Sequence, residues 1–298
     1  MYLGLLVQFY KYFNIQLVQG FQIRINEINR LGIMYKLKQS EIRHYHEEGF
    51  LIPKFALENI KVEELKLALE RVLEANPGIR PEKLVSVHID RLNSEGIKGD
   101  RTFFDLANHP LILDCVEQLI GPDIILWGCQ LFCKPSIDGM EVPMHQDGHY
   151  WPIRPLATCT VWLAIDESNI DNGCMKVVPG SHKDSILFQH RKDIREKLVL
   201  NQMVDDDRIK IDKSIPLELN PGSFSLHDIH LIHGSSPNTS GKRRSGVAVR
   251  YMPGTSFFDR ELMETGDNSG FLVNFSERPL WLLRGENKAG NDLDRGHA

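Results

Sequence analysis

Apolar residues recur at helical spacing up to about residue 121 and then alternate or cluster in short runs from Ile124 onward, which divides the chain into a helical start and a β-rich remainder. Ser40 predicts an N-cap for a helix through "EIRHYHEEG", ended by Gly49. In "VEELKLALERVLEANPG", Leu65, Ala68, Leu69, Val72 and Leu73 share one helical face, and Asn76-Pro77-Gly78 stops the run. "HPLILDCVEQLIG" predicts a further helix. After it, "IILWGCQLFCK", "TCTVWLAI", "CMKVVPG", "IPLELNPGSFSLHD" and "SGVAVRYM" read as strands separated by turn clusters. "LHDIHLIHGSSPN" reads as one more apolar strand carrying three histidines. The pattern predicts N-terminal helices packed on a mainly β sandwich or barrel of jelly-roll type, with no internal repeat and no long linker.

Composition narrows the function more than the fold. The 298 residues have a formal net charge of −5, which gives no general attraction to nucleic acid or to anionic membranes. The basic cluster "GKRR" at Gly241 to Arg244 is short and suits a turn or a local anion contact. The five cysteines do not form a Cys-x-x-Cys motif, since Cys129 and Cys133 lie four apart, and they read as buried free thiols of a reducing compartment. The apolar start "MYLGLLVQFYKYF" is interrupted by Lys11, is too short to span a bilayer and lacks the features of a secretory signal. From Met34 the sequence reads like the start of a domain, so residues 1–33 are expected to be an extension from an upstream start and 34–298 a single domain.

The candidate chemistry begins with a histidine and an aspartate two residues apart, a spacing that places both side chains on one face of a strand. The pair occurs three times: His88-Ile-Asp90, His145-Gln-Asp147 and His182-Lys-Asp184. About one such triplet arises by chance, so spacing alone selects none. His88 precedes the β-rich half, and His182 follows the turn "VVPGS". His145 and Asp147 have strand-like sequence upstream and the aromatic pair Tyr150-Trp151 downstream. His227, His230 and His233 are each available as a third ligand, which would complete two imidazoles and one carboxylate, the set of non-haem Fe(II) oxygenases. Geometry leaves the choice among those three open.

Three long blocks carry a resemblance: "CKPSIDGMEVPMHQDGHYWPIRP", "VWLAIDESNIDNGCMKVVPGSHK" and "PGSFSLHDIHLIHGSSPNTSGKRR", covering most of residues 120–250. In that order they resemble the phytanoyl-CoA dioxygenase family of Fe(II)- and 2-oxoglutarate-dependent oxygenases, which implies a double-stranded β-helix, the cupin-like jelly roll. The resemblance implies His145, Asp147 and His233 as metal ligands, leaves His227 and His230 as core or rim histidines, and makes the His182 triplet a decoy in a structural turn. His149 is expected to be structural. Arg244, eleven residues after His233, matches the arginine that binds the free carboxylate of 2-oxoglutarate. Arg243 then faces the other way, and Arg250, of the same parity as Arg244, is the reserve. Ser235, Gln130 and Trp162 match further cosubstrate contacts, while Lys134, Arg154 and Arg250 are candidate contacts to an anionic substrate.

The implied reaction uses Fe(II), 2-oxoglutarate and O2, with ascorbate as a supporting reductant, and releases succinate and CO2 as a C–H bond is hydroxylated. Related halogenases replace the carboxylate ligand with a small residue, so Asp147 favours hydroxylation. The tail "ERPLWLLRGENKAGND" looks like that of the small-metabolite branch and is expected near the pocket mouth. The chain ends "DRGHA", without a peroxisomal address, so the expectation is a cytoplasmic enzyme. The expected substrate is a small charged metabolite such as an amino acid, a betaine-like solute or 2-aminoethylphosphonate. The alternatives are an acyl-CoA or lipid substrate, a non-catalytic binder on the same fold, and a zinc hydrolase. Oligomeric state leaves no mark in the sequence.

Overall fold

The helical start forms because its apolar stripe has a sheet to cover. In the computed structural model, which describes residues 34–262 and 274–293, α1 spans Gln39–Glu48, α2 Asn59–Ala75, α3 Arg101–Ala107 and α4 Pro110–Ile120. The extension expected over 1–33 lies outside the described residues. Helix α1 starts one residue before Ser40: Lys38 is the N-cap, its backbone N–H bonded to the Glu41 carboxylate at 2.7 Å. A serine side chain is thus not the cap, because Glu41 reaches back from the first turn and satisfies the free amide instead. Gly49 ends the helix as expected, at φ 84°, a conformation that glycine adopts without strain. Helix α2 buries Val62, Leu65, Ala68, Leu69 and Val72, the predicted face. Helix α3, which the pattern did not reveal, is only seven residues long and is capped by Asp100, whose side chain accepts from Thr102 N at 2.9 Å.

Two antiparallel sheets follow. The larger has the order β1 (Phe50–Leu51), β10 (Phe224–Asp228), β5 (Cys159–Ala164), β12 (Arg244–Pro253), β2 (Ile124–Lys134) and β14 (Trp281–Arg284). The smaller is ordered β3 (Val142–His145), β11 (His233–Ser235), β6 (Met175–Val177) and β9 (Ile215–Leu217). Between these come the short strands β4 (Ile153–Arg154), β7 (His190–Lys192) and β8 (Gln202–Val204), with β13 (Phe257–Phe258) after β12. Trp162, Ala164 and Ala248 of the large sheet share a core cluster with Met175, Val177 and Leu217 of the small one, so the two inner faces pack together as a jelly roll. The helices cover the outer face of the large sheet: the Tyr251 hydroxyl donates to Ala107 O of α3 at 2.9 Å, and Arg284 of β14 reaches Asp114 and Glu117 of α4, each at 2.7 Å. Among the described residues no helix is long and apolar enough to cross a membrane.

The alternation of β12 divides its residues cleanly. Arg244, Ala248 and Arg250 line the interior cavity, while Val247, Val249 and Tyr251 face the helices. A bulge interrupts its pairing with β2, where Arg250 opposes Gly128 but Tyr251 opposes Leu126. The extra residue, Trp127, is thereby turned onto the same face as Gln130, three positions away. Gly246 lies under the Trp162 ring, close enough that a Cβ there would overlap the indole carbons. Gly246→Ala should therefore destabilise the protein by about 1–3 kcal/mol through overpacking and change the near-ultraviolet dichroism of Trp162. Urea melts monitored in both ultraviolet regions check this; an unchanged midpoint would mean that the ring is free to move away.

Candidate active site

His145 is the last residue of β3 and Asp147 the first of a 3₁₀ turn, so the two do not share a strand as the alternation argument assumed. The chain turns between them, and the turn swings the carboxylate back toward the imidazole, leaving His145 Nε2 3.5 Å from Asp147 Oδ1. Nor do the three downstream histidines share a strand. β10 ends at Asp228, the chain crosses between sheets over 229–232, and His233 opens β11. That break sets His233 apart from His227 and His230, which lie on or just after β10. His233 pairs directly opposite His145 in the antiparallel ladder, with Nε2 4.0 Å from Asp147 Oδ1. One ligand atom from each of His145, Asp147 and His233 falls within 4.8 Å of the others, and all three residues are buried.

Both rings are held in one tautomer. His145 Nδ1 lies 2.8 Å from Pro143 O and His233 Nδ1 2.9 Å from Leu231 O; a carbonyl only accepts, so Nδ1 carries the proton and the Nε2 lone pair faces the carboxylate. Burial, with the neighbouring His145, pushes the His233 pKa down to about 3, which keeps that ring neutral. Burial alone would raise the Asp147 pKa, but contacts with His145 and His227 and the Arg250 charge outweigh it and hold the carboxyl well below the usual carboxylate range. Two imidazoles with Nδ1 tied to carbonyls and an ionised carboxylate fit a divalent metal. Gln146 braces the turn from behind: Nε2 donates to Ile186 O at 2.9 Å and His230 O at 2.7 Å, and Oε1 accepts from Phe188 N at 2.8 Å.

The cluster opens into a cavity whose empty space, open solvent at the mouth included, is roughly 1010 Å³. Arg244 enters it from the first residue of β12, 2 % exposed, with its Nε unpartnered and its guanidinium carbon 5.2 Å from the Trp162 ring. Burial lowers its pKa to about 10, still far above neutrality, so a full charge points into the cavity. Ser235, two residues after His233 on β11, lines the same space. Arg243 faces outward and is paired with Asp166 at 2.9 Å and Glu70 at 2.5 Å, as the strand parity required.

The family model described as phytanoyl-CoA dioxygenase (PhyH) matches residues 45–246, two-thirds of the chain, with the whole cluster and Arg244 inside the match. The chain belongs to the phytanoyl-CoA dioxygenase family. The peroxisomal phytanoyl-CoA dioxygenase of Bos taurus is 28% identical over 287 residues, covering 87% of this chain and 84% of that one. A probable alpha-ketoglutarate-dependent hypophosphite dioxygenase of Stutzerimonas stutzeri is 27% identical over 161 residues, covering 52% and 56%. Among solved structures, the apo form of the non-heme monooxygenase ThoJ superposes with a TM-score of 0.66 at 23% identity, covering 85% of this chain and 87% of that one, a likeness of fold. A member of this family is a 2-oxoglutarate-dependent dioxygenase, and its cofactor is Fe(II).

Within this dioxygenase several expected contacts fall elsewhere. Lys134 does not line the cavity: its ammonium donates to the Ser236 carbonyl and, at 3.4 Å, to Ser235 O, fastening β2 to the end of β11. Arg154 is exposed and folds back on its own segment, donating to Ile153 O at 2.7 Å and Trp151 O at 3.3 Å. Gln130, Trp162 and Arg250 do line the cavity, Arg250 donating to Gln130 Oε1 at 3.0 Å. His88 is buried away from it, and His182 binds His46 O at 3.0 Å beside the end of α1. His149 stacks on His190 with centroids 4.1 Å apart.

Two further residues line the cavity, one that the sequence left as a core or rim histidine and one that it did not single out. His227 is a wall of the site, with Nε2 3.8 Å from Asp147 Oδ2 and neither ring nitrogen hydrogen-bonded. Its even spacing from His233 was a usable signal only once the break between β10 and β11 was known. Arg278, from the tail expected near the mouth, is the other.

Lys134 supplies a test of its structural role. Burial first, and the Arg244 charge second, push its pKa well below the ordinary 10.5, so the unfolded chain holds that proton more tightly than the folded one. A group depressed in this way adds stability as pH rises toward its unfolded value and withholds it below. The stability of wild type minus that of Lys134→Met should therefore increase as pH rises toward the ordinary lysine value of 10.5, measured by urea melts. A flat difference would mean that Lys134 sits in a solvated environment.

Proposed function

We propose that His145, Asp147 and His233 hold Fe(II), and that Arg244 holds the distal carboxylate of 2-oxoglutarate, in a dioxygenase that hydroxylates a small charged metabolite. The supporting observation is the donor set: two imidazoles whose Nε2 lone pairs are freed by backbone carbonyls at Nδ1, and a carboxylate between them. Fe(II) with 2-oxoglutarate and O2 supplies the oxidising chemistry, converting 2-oxoglutarate to succinate and CO2 as oxygen enters a C–H bond of the substrate. The carboxylate of Asp147 takes the coordination position that related halogenases leave open for halide, which favours hydroxylation.

The remaining work falls to the chain. Arg244 offers two parallel N–H bonds to a carboxylate, and Trp162 beneath it restricts the guanidinium to that approach. Ser235 adds a hydroxyl from β11 of the opposite sheet. Trp127, Tyr150, Trp151 and Phe275 exclude water from the space where the substrate sits. The preference for a charged metabolite rests on the buried arginines of this wall, and it agrees with the small oxyanion named in the Stutzerimonas relative. An acyl-CoA substrate, the chemistry named in the bovine relative, is the reading that this preference opposes.

Purified protein with Fe(II), 2-oxoglutarate and ascorbate should form succinate on addition of one member of a panel of charged metabolites. His145→Ala should lower that rate by at least about a hundredfold, and Arg244→Met should raise the KM for 2-oxoglutarate about ten- to a hundredfold, the loss of a charge-assisted bidentate contact. Turnover of a phytanoyl-type CoA ester with none of the charged metabolites would overturn the substrate class. Full activity of His145→Ala would overturn the site.

A further inference from the structure

Four buried donors on one stretch of the cavity wall have no acceptor: Gln130 Nε2, Trp127 Nε1, Arg250 Nε and Arg278 Nε. They are neighbours. Arg250 bonds Gln130 at 3.0 Å, and its guanidinium carbon lies 5.7 Å from the Trp127 ring and 5.1 Å from that of Trp151. Arg278 donates to the Ser86 hydroxyl, next to Val85, which is itself bridged to Gln130. Packing accounts for part of this. Arg278 is paired with buried Glu95 at 3.0 Å, which ties the tail to the segment before α3. But that pair and Ser86 occupy only the two terminal nitrogens. A buried donor without an acceptor is destabilising, and four together make a costly wall unless a ligand completes it.

The surroundings are arranged to keep these donors in place. Ser86 holds its hydroxyl toward Arg278 from a left-handed backbone, φ 57°, which a serine adopts only when its neighbours impose it. The bulge in β2 turns Trp127 onto this wall, and the Arg250 guanidinium rests against the edge-to-face pair of Trp127 and Trp151, whose ring centroids are 4.4 Å apart. Charge points the same way. With Fe(II) and 2-oxoglutarate bound, Asp147 and Arg244 leave that part of the site neutral, and Glu95 cancels Arg278. Arg250 retains one uncompensated positive charge, its nearest hydrogen-bonding partner being a neutral amide.

We propose that Arg250, Arg278, Gln130 and the Trp127 indole N–H form a second anion subsite, separate from Arg244, for the acidic head group of the substrate, a compact oxyanion of the carboxylate, sulfonate or phosphonate type. That the occupant is a substrate rests on the oxygenase reading; that the subsite binds an oxyanion does not. An acyl-CoA keeps its phosphates far from its acyl chain and offers this wall only a neutral thioester.

The test uses metal-free Arg244→Met protein, which lacks the other cavity guanidinium with an open approach, titrated calorimetrically with methylphosphonate, methanesulfonate and acetate. At least one should bind with a Kd in the low millimolar range, and the anion preferred identifies the head group. Adding Arg250→Gln or Arg278→Gln should weaken that binding about tenfold or more, and adding Gln130→Leu about threefold. Arg278→Gln leaves Glu95 unpaired and puts folding at risk; Arg250→Gln and Gln130→Leu leave that ion pair intact and decide the matter alone. No binding of any probe up to about 50 mM, or binding unchanged in those two variants, overturns the proposal. A second titration, of 2-oxoglutarate into Ni(II)-loaded protein that retains Arg244, should be unaffected by Arg250→Gln. A tenfold loss there would assign the arginine to the cosubstrate and equally overturn the subsite. If 2-oxoglutarate binds no form of the protein, the oxygenase reading fails while the anion titration still stands.

Discussion

The antiparallel pairing of β3 with β11 is the constraint on which the site depends. It sets His145 directly across from His233 and brings two residues 88 positions apart within coordination distance of one carboxylate. The pairing is tight because Gly234 sits against the Val142 carbonyl and the Met144 backbone, where a Cβ would come within 2.7 Å of the former and 3.0 Å of the latter. A β-branched or even an alanine side chain at that position would push the strands apart and open the cluster. Gln146 fixes the second half of the arrangement. Its amide spans three backbone groups of two other segments, so the turn that carries Asp147 is fastened to the approach to β11 as well as to β3.

That geometry is costly to maintain, and the cost shows in the electrostatics. A guanidinium at Arg244 and an ammonium at Lys134 lie opposite each other in the β12–β2 ladder, both buried. Like charges in such a place repel, and neither has a carboxylate hydrogen-bonded to it. Lys134 is satisfied by the carbonyls of Ser235 and Ser236, which leaves Arg244 as the group whose valence remains open toward the cavity. A buried charge kept unpaired in the ligand-free protein is a preorganised binding site, stabilised when an anion arrives and not before. The same argument applies to Arg250, whose aromatic neighbours hold its position without neutralising it.

How far the sequence could be read follows from what is local. His145 and Asp147 are two residues apart, and their convergence survives even though a turn rather than a strand produces it. Helices α2 and α4 and the strands β2 and β12 run for ten or more residues, so their faces were visible. The short elements were not. α3 depends on a single aspartate cap, and the split of "LHDIHLIHGS" into two strands of different sheets depends on tertiary pairing that no window of sequence contains. Lys134 and Arg154 were misplaced for a related reason: a basic residue in a motif block is equally suited to an anion, a carbonyl or solvent, and only the fold decides which it meets. Arg278 was overlooked, and His227 was left as a core or rim histidine, because each reaches the cavity from a segment whose own pattern announces something else, a tail in one case and an apparent core strand in the other.

The boundary of the family match crosses the cavity wall. It holds His145, Asp147, His233, Ser235 and Arg244, and it stops at residue 246, short of Arg250, Phe275 and Arg278. The residues inside it are those whose positions the reaction dictates, since any substrate needs the same metal and the same cosubstrate. The residues beyond it come from the far end of β12 and from the tail, which are joined to the sheet but are not needed to close the cluster. A frame built this way can keep its oxidising centre while the opposite wall is rebuilt for another substrate. For this chain that wall is rich in donors, poor in acceptors and positively charged, and these three conditions are what the proposed oxyanion head group would satisfy at once.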